Sequence, residues 1–266
     1  MKRGNGKPTV MLFHHALWKG SDSAGPNTSI RHLCRALADE YNFLLVARNR
    51  SLYGGPATEP NRWQEVDGIR TCYLAIAQLG ARGLRNLLRE TDHDIVHLNS
   101  FFDRELSFPI LASTKVRLTA RKPTLLSPRG EFARGALSLK PRRKKAYIGV
   151  AKATRLLDGV TVHATSEAER KDILFAKLGR PIVRAQNIRS LEPLPSHKAP
   201  AAGAPLRAAF VGRVSPVKGL DCALSALQGA AFPIEYDIYG PIGDSEYWKK
   251  CQAIIANAPA SLKVNY

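Results

Sequence analysis

Two cations, Arg213 and Lys218, are the residues of this sequence best suited to binding an anion; both lie in the segment FVGRVSPVKG. An apolar run ends at this segment and a helical pattern follows it, so both side chains can meet at a helix N-terminus. Fixed cations at such a position bind phosphate oxygens. The GK[ST] signature of a Walker loop is absent. We therefore interpret the segment as another kind of phosphate site, in preference to a basic loop without a ligand.

A second candidate phosphate site lies in residues 21–27, between an apolar run and a helical pattern. Gly25 in this segment, like Gly20 just before it, would let backbone N–H groups approach a diphosphate at the positive end of the helix. An ordinary strand-to-helix turn explains the same residues equally well. The spacing is not GxGxxG, so it does not indicate a dinucleotide site.

Polar residues also end the apolar run DIVHLN. Strand alternation places His97 and Asn99 on one side, near the C-terminal end of the run. Open α/β sheets bind their ligands at that end of the strands. A single histidine there is more often a core residue that a backbone carbonyl satisfies. Both interpretations of His97 stay open on this evidence.

The segment LLSPRGEF carries a cation and a carboxylate directly after another apolar run. Arg129 offers a planar fork that suits phosphate or carboxylate, and Glu131 could bind sugar hydroxyls. Alternatively, the two residues pair and order their own loop. The basic run 140–145 follows and opens a helix with Tyr147 and Val150 on its predicted packed side. Such runs are usually solvated; the alternative is adhesion to an anionic lipid or acceptor.

The elements that must position these residues alternate regularly along the chain. Apolar runs predict strands at residues 9–14, 43–47, 69–74, 95–98, 124–127, 160–164 and 182–185, with helices such as 29–40 and 167–177 between them. This alternation predicts a parallel sheet covered on both faces. A segment rich in proline, residues 191–205, predicts a linker between a first α/β domain, 1–190, and a second domain, 206–266. The second domain has a β-α-β-α pattern, which is too short for an independent domain.

Composition narrows the class of protein further. The 266 residues carry a formal net charge of +18, and 44% of them are hydrophobic. A packed core is therefore expected, together with an attraction to nucleic acid, acidic membranes or phosphorylated substrates. The four cysteines show no CxxC pairing, which argues against a zinc site or a disulfide framework. No signal peptide or membrane-spanning run is recognisable, so we expect a cytoplasmic protein with at most peripheral contact with a membrane.

Five segments in order resemble one family. DIVHLNSFF, LLSPRGEFARGALSLK, HATSEAE, FVGRVSPVKGLD and YGPIGDSEYW are similar to motifs of the family 4 (group 1) glycosyltransferases of the GT-B fold. The resemblance implies two Rossmann-like domains, a nucleotide-diphosphate sugar as donor and retention of the anomeric configuration. It also implies that neither a metal nor another cofactor is required. The usual setting of relatives is the synthesis of surface polysaccharides or lipid-linked glycans.

The resemblance also implies roles for individual residues. The donor-phosphate ligands would be Gly25, Arg213 and Lys218. The catalytic residue would be His97. The acceptor side would carry Asn99, Arg129 and Glu131, although many relatives have histidine where this sequence has Asn99.

The family's E-x7-E motif and its glycine-rich loop, which grip the donor, have no counterpart before Tyr266. We therefore expect a glycosyltransferase truncated in its donor domain, whose activity as this chain alone is in doubt. One alternative is a non-catalytic accessory or remnant protein. Another is a basic nucleic-acid-binding protein, but no recognisable nucleic-acid-binding motif or stacking aromatics accompany the charge, so no nucleic acid is expected as partner.

Overall fold

The computed structural model describes residues 6–15, 17, 25–49, 59–189 and 203–266. The chain divides into two compact units, Met1–Glu192 and Pro193–Tyr266, here called unit 1 and unit 2. Most of the predicted linker, residues 190–202, lies outside the described residues. Within the described part of the chain, no helix has the length and apolar character needed to cross a membrane.

Unit 1 contains an eight-stranded sheet in the order β3-β4-β2-β1-β5-β6-β7-β8. Its strands are β1 (Thr9–Phe13), β2 (Asn42–Arg48), β3 (Trp63–Val66), β4 (Ile69–Leu74), β5 (Ile95–Asn99), β6 (Thr124–Ser127), β7 (Val160–Ala164) and β8 (Ile182–Arg184). All neighbouring strands are parallel except β3 and β4, which form an edge hairpin. The predicted parallel sheet is confirmed, and β3 is an addition to it.

Six helices of unit 1 are described: α1 (Gly25–Ala36), α2 (Ala81–Glu90), α3 (Ser107–Lys115), α4 (Arg134–Ser138), α5 (Pro141–Ala153) and α6 (Glu167–Phe175). Helix α1 begins and ends four residues before the predicted 29–40, because Pro26 is tolerated in a first helical turn. Helix α6 starts as predicted, since the Ser166 hydroxyl accepts a hydrogen bond from Glu169 N at 3.1 Å.

The core of unit 1 fills both faces of the sheet. One cluster includes Phe13, Val46 and Leu98, and the other includes Leu12 and Ile30. Because strand side chains alternate, Phe13 and Leu12 serve opposite faces.

Unit 2 has a parallel sheet in the order β11-β10-β9, built from β9 (Leu206–Val211), β10 (Ile234–Tyr239) and β11 (Leu262–Asn265). Its helices are α7 (Leu220–Leu227) and α8 (Ser245–Ala256). These elements pack on one face through Leu224, Tyr236 and Cys251. The predicted β-α-β-α pattern is confirmed. The other face carries charged residues such as Arg207, whose side chain is 75% exposed.

Candidate functional site

The C-terminal ends of β5, β6 and β7 bring polar residues of unit 1 together. Asn99 and Ser127 are paired in the register of β5 and β6, and each is almost completely buried. His97 is buried on the same side of β5, two residues earlier. These side chains form a polar layer at the sheet edge where parallel α/β proteins bind ligands.

Arg129 lies at the centre of this layer. Its Nε donates to Asn99 Oδ1 at 2.9 Å, and its Nη1 donates to Asn187 Oδ1 at 2.7 Å and Ser29 Oγ at 3.2 Å. All three acceptors are neutral, and no carboxylate of the described residues forms an ion pair with the guanidinium. Burial lowers the pKa of Arg129, and the nearby Glu169 carboxylate opposes that shift. Within the described part of the chain, the layer therefore holds a positive charge whose direct hydrogen-bond partners are neutral.

The loop from β6 to α4 supplies Arg129 in an uncommon conformation. Arg129 has a φ of 56° and Gly130 a φ of 79°, so two successive residues are left-handed. Glu169 of α6 stabilises this turn, because its Oε1 accepts from Gly130 N at 2.7 Å. The other oxygen of Glu169 accepts from Thr165 N and from the Thr165 hydroxyl, at 2.7 and 2.6 Å. A buried carboxylate therefore orients the loop without contacting the guanidinium directly.

Glu131 belongs to the same loop as Arg129, but its carboxylate binds the segment directly after β5. Its carboxylate accepts from the Ser100 hydroxyl at 2.5 Å, from Phe101 N at 2.6 Å and from Phe102 N at 3.3 Å. Burial raises the pKa of Glu131, and these donors together with Lys144 oppose the rise. The carboxylate orders the loop after β5, whose Ser100 has a φ of 89°. An Arg129–Glu131 pair, the alternative left open by the sequence, is not formed.

His97 is 4% exposed, and its Nε2 lies 2.9 Å from Ser127 Oγ. Ser127 Oγ lies 2.9 Å from His163 Nδ1, and His163 Nε2 lies 2.8 Å from the carbonyl oxygen of Ala185. Burial lowers the pKa of His97 to about 3, and the charge of Arg129 lowers it further. His97 is therefore neutral at physiological pH.

His14 and Ser127 are members of the layer that the sequence did not single out. His14 follows β1 and its Nε2 lies 3.1 Å from Asn27 Oδ1 of α1. Burial, with contributions from His15 and Arg129, lowers the pKa of His14 to about 3. His14 Nδ1 is buried without a hydrogen-bond partner among the described residues. Their positions in the sequence could have revealed them, because each residue ends or directly follows an apolar run.

Gly25 is the first residue of α1, the helix whose Ser29 contacts Arg129. A Cβ at Gly25 would meet no atom within 4 Å, so its first turn is open on that side. The preceding residues 18–24, including Gly20, lie outside the described residues. The predicted contact of Gly25 with phosphate stays a prediction.

Arg213 and Lys218 lie together in unit 2, in the loop that joins β9 to α7. Both side chains are exposed, and neither has a side-chain partner among the described residues. The loop turns at Gly219, whose φ is 66°, directly before α7. The Arg213 side chain crosses Gly243, where an added Cβ would lie 2.4 Å from Arg213 Cδ. Both cations therefore lie in the loop between β9 and α7, and their predicted contact with phosphate stays a prediction.

Comparison with known proteins places this architecture among solved folds. No protein-family model matches the sequence, and no curated protein matches it. HepE of Anabaena, solved with UDP and glucose, aligns at a TM-score of 0.61 and 12% identity over 97% of this chain and 69% of that chain. Trehalose-6-phosphate synthase OtsA aligns at a TM-score of 0.64 and 13% identity, over 97% and 74%. A trehalose-6-phosphate structure from E. coli with UDP-2-fluoro glucose aligns at 0.62 and 10%, over 97% and 73%.

These elements form two Rossmann-like α/β units. The matched structures are GT-B proteins, and the chain has the GT-B fold: an N-terminal Rossmann-like unit and the first β-α-β-α part of a second one. The identities are low, so the likeness establishes the fold alone.

Proposed function

We propose that this chain belongs to a glycosyltransferase of family 4 (group 1) that takes a sugar from a nucleotide-diphosphate donor and retains its anomeric configuration. The observation that carries the proposal is a pair of exposed cations, Arg213 and Lys218, in the loop from β9 to α7 of a GT-B fold; neither side chain has a partner among the described residues. Solved GT-B structures that match the chain contain UDP or a UDP-sugar, which supports a donor of that class.

The donor half of the mechanism is electrostatic. When the glycosidic bond to the donor breaks, the leaving nucleoside diphosphate gains negative charge. Arg213 and Lys218 stabilise that charge more strongly in the transition state than in the ground state, which is the condition for catalysis. In unit 1, Gly25 at the N-terminus of α1 is proposed as a further donor-phosphate ligand, because backbone N–H groups at a helix N-terminus suit a diphosphate.

The acceptor half is assigned to the polar layer of unit 1. Arg129 and Asn99 orient the acceptor, and Glu131 shapes the loop after β5 that flanks it. His97 is proposed as the catalytic residue, and it would act as a neutral hydrogen-bonding group. A histidine with a pKa of about 3 is a weak base at physiological pH.

The acceptor is proposed to be a glycan or a lipid-linked intermediate of surface polysaccharide synthesis. Helix α5 supports peripheral contact with an anionic membrane, at the cytoplasmic side, because Arg142, Arg143 and Lys145 are exposed together with Val150. Basic side chains near an anionic surface contribute about 1 kcal/mol each to binding.

The test is to measure UDP binding by titration calorimetry or by ligand-observed NMR, which also detects weak binding. Arg213→Ala and Lys218→Ala should each weaken binding roughly 10- to 100-fold, because each removes a charge-assisted contact of about 1.5–3 kcal/mol. Lys263→Ala is the matched control, since Lys263 is an exposed cation of unit 2 that pairs with Glu235. Equal affinity of the Arg213→Ala/Lys218→Ala double variant and the wild type would contradict the proposal.

A further inference from the structure

A chain of three hydrogen bonds crosses the carboxyl ends of β5, β6 and β7 and ends just after β8. It joins His97 Nε2 to Ser127 Oγ at 2.9 Å, Ser127 Oγ to His163 Nδ1 at 2.9 Å, and His163 Nε2 to the Ala185 carbonyl oxygen at 2.8 Å. The three side chains come from adjacent parallel strands. None of the three bonds belongs to the backbone ladder of the sheet.

The carbonyl end determines the direction of every bond in the chain. A carbonyl oxygen only accepts, so His163 carries its proton on Nε2. A neutral imidazole has one N–H, and therefore His163 Nδ1 accepts the Ser127 proton. Since the single proton of Ser127 is used, its oxygen accepts from His97 Nε2–H.

This arrangement requires both imidazoles to be neutral, and burial favours the neutral form of each. Burial is the largest cause that lowers the pKa of His97 and that of His163, and the charge of Arg129 acts in the same direction. If His163 were protonated, its Nδ1 would become a donor. Ser127 would then face two donors and its own proton would lose its acceptor.

The far end of the chain lies beside a contact of Arg129. Ala185 is two residues before Asn187, whose Oδ1 accepts from Arg129 Nη1 at 2.7 Å. The segment from 185 to 189 is largely exposed. Among the described residues, Ala185 is hydrogen-bonded to β7 twice: its carbonyl oxygen to His163 Nε2, and its N–H to the Ala164 carbonyl oxygen at 3.1 Å.

We infer that Ser127 and His163 are positioning residues. They hold His97 in its Nε2–H tautomer, and His163 holds the segment that places Asn187 against Arg129. The consequence is a guanidinium whose orientation is set from both sides, by Asn99 of β5 and by Asn187 beyond β8. The inference rests on the proposed function only for the acceptor-side role of Arg129.

Two substitutions of His163 separate the two bonds that it makes. His163→Asn keeps an oxygen near the position of Nδ1, which can accept from Ser127, and loses the donor to Ala185. His163→Gln keeps a donor near the position of Nε2 and loses that acceptor. Ser127→Ala removes both side-chain contacts of the serine. Ser107→Ala is the matched control, because the Ser107 hydroxyl is equally buried and has no partner among the described residues.

The primary measurement is the tautomer of His97 by long-range proton–nitrogen NMR, which needs no donor or acceptor. In the wild type, His97 and His163 should both be protonated on Nε2. His97 should remain so in His163→Asn and Ser107→Ala, and should become a mixture of tautomers in Ser127→Ala and His163→Gln. Amide hydrogen exchange at residues 185–187 should accelerate at least several-fold in His163→Asn and not in His163→Gln.

A wild-type His97 protonated on Nδ1 would overturn the inference without any variant. An unchanged His97 tautomer in Ser127→Ala, or unchanged exchange at 185–187 in His163→Asn, would also overturn it. In a transfer assay, the positioning role predicts a higher KM for the acceptor in His163→Asn with the KM for the donor unchanged. Normal tautomers without any transfer would count against the proposed function alone.

Discussion

At the residue scale, Arg129 illustrates how the layer in unit 1 differs from an ordinary ion-pair network. Among the described residues, most cations that pair with a carboxylate lie at the surface, as Lys249 does with Glu246. Arg129 instead has three neutral oxygen acceptors contributed by β5, α1 and the segment after β8. These oxygens satisfy guanidinium donors without neutralising the half-buried charge.

Sequence reasoning singled out Arg129 and Asn99 as candidate site residues, but it did not predict the contact between Arg129 and Asn187. The two residues are 58 positions apart, and Asn187 follows a strand of only three residues. A rule about strand ends locates polar residues at one edge of a sheet. It does not determine which pairs touch, because that depends on the left-handed turn at Arg129 and Gly130.

The buried histidines of unit 1 predict a loss of stability in acid. His14 and His97 have a pKa of about 3 in the folded chain, against about 6.5 in an unfolded chain. A depressed pKa stabilises the fold above pH 6.5, and this stabilisation is lost as the pH falls from 6.5 towards 3. Each histidine contributes a slope of up to about 1.4 kcal/mol per pH unit in that window.

Urea unfolding between pH 4.5 and 7.5 measures this slope. The His14→Gln/His97→Gln double variant should show a flatter pH dependence than the wild type, because glutamine does not titrate. Comparison within one variant across pH removes the constant cost of the substitutions themselves. Parallel curves for the two proteins would refute the assignment of the acid sensitivity to these two residues.

At the element scale, α5 corrects one feature of the sequence interpretation. Tyr147 is on the packed side, as predicted, but Val150 is 55% exposed. The inward side instead carries Lys144, whose Nζ donates to the Ala136 carbonyl oxygen at 2.7 Å and lies 5.0 Å from the centre of the Phe102 ring. Helical spacing alone left the phase of the helix open, because a lysine stem can pack over apolar surface.

The outward side of α5 predicts binding to anionic vesicles. Arg142→Glu/Arg143→Glu should reduce co-sedimentation with vesicles that contain anionic lipid at least 10-fold, because two charges near the surface are reversed. Lys249→Glu/Lys263→Glu, on exposed positions of unit 2, makes the same change in net charge and should have a much smaller effect. Equal losses in both double variants would point to net charge and not to α5.

Strand β3 shows which element escaped prediction and why. The sequence WQEV has only one aliphatic residue and is half exposed at the sheet edge, so it lacks an apolar run. Its hairpin signal was the dipeptide Asp67-Gly68, whose φ values of 51° and 74° suit a tight turn between antiparallel strands. The buried parallel strands were predictable because both of their faces are covered, which makes them continuously apolar.

At the scale of the whole molecule, non-specific attraction by the formal charge of +18 must be distinguished from binding at the candidate sites. A field of this size attracts any polyanion, and that attraction is screened by salt. We expect binding to nucleic acid to show no sequence preference and to decrease steeply between about 50 and 200 mM salt.

A gel-shift titration with several unrelated oligonucleotides across this salt range measures that behaviour. UDP binding measured in the same buffer series serves as the internal control for a specific phosphate site. A single complex that depends on sequence and persists at high salt would instead support a nucleic-acid-binding protein.

The glycine at position 243 gives the Arg213 loop a property that charge alone does not. Its hydrogen leaves room for the arginine stem, and a methyl group there would come within 2.4 Å of Arg213 Cδ. Gly243→Ala would therefore displace the guanidinium while every charge in the molecule is preserved. Such a variant separates the effect of the position of the guanidinium from the effect of the net charge. The substituted residue itself need not contact the ligand.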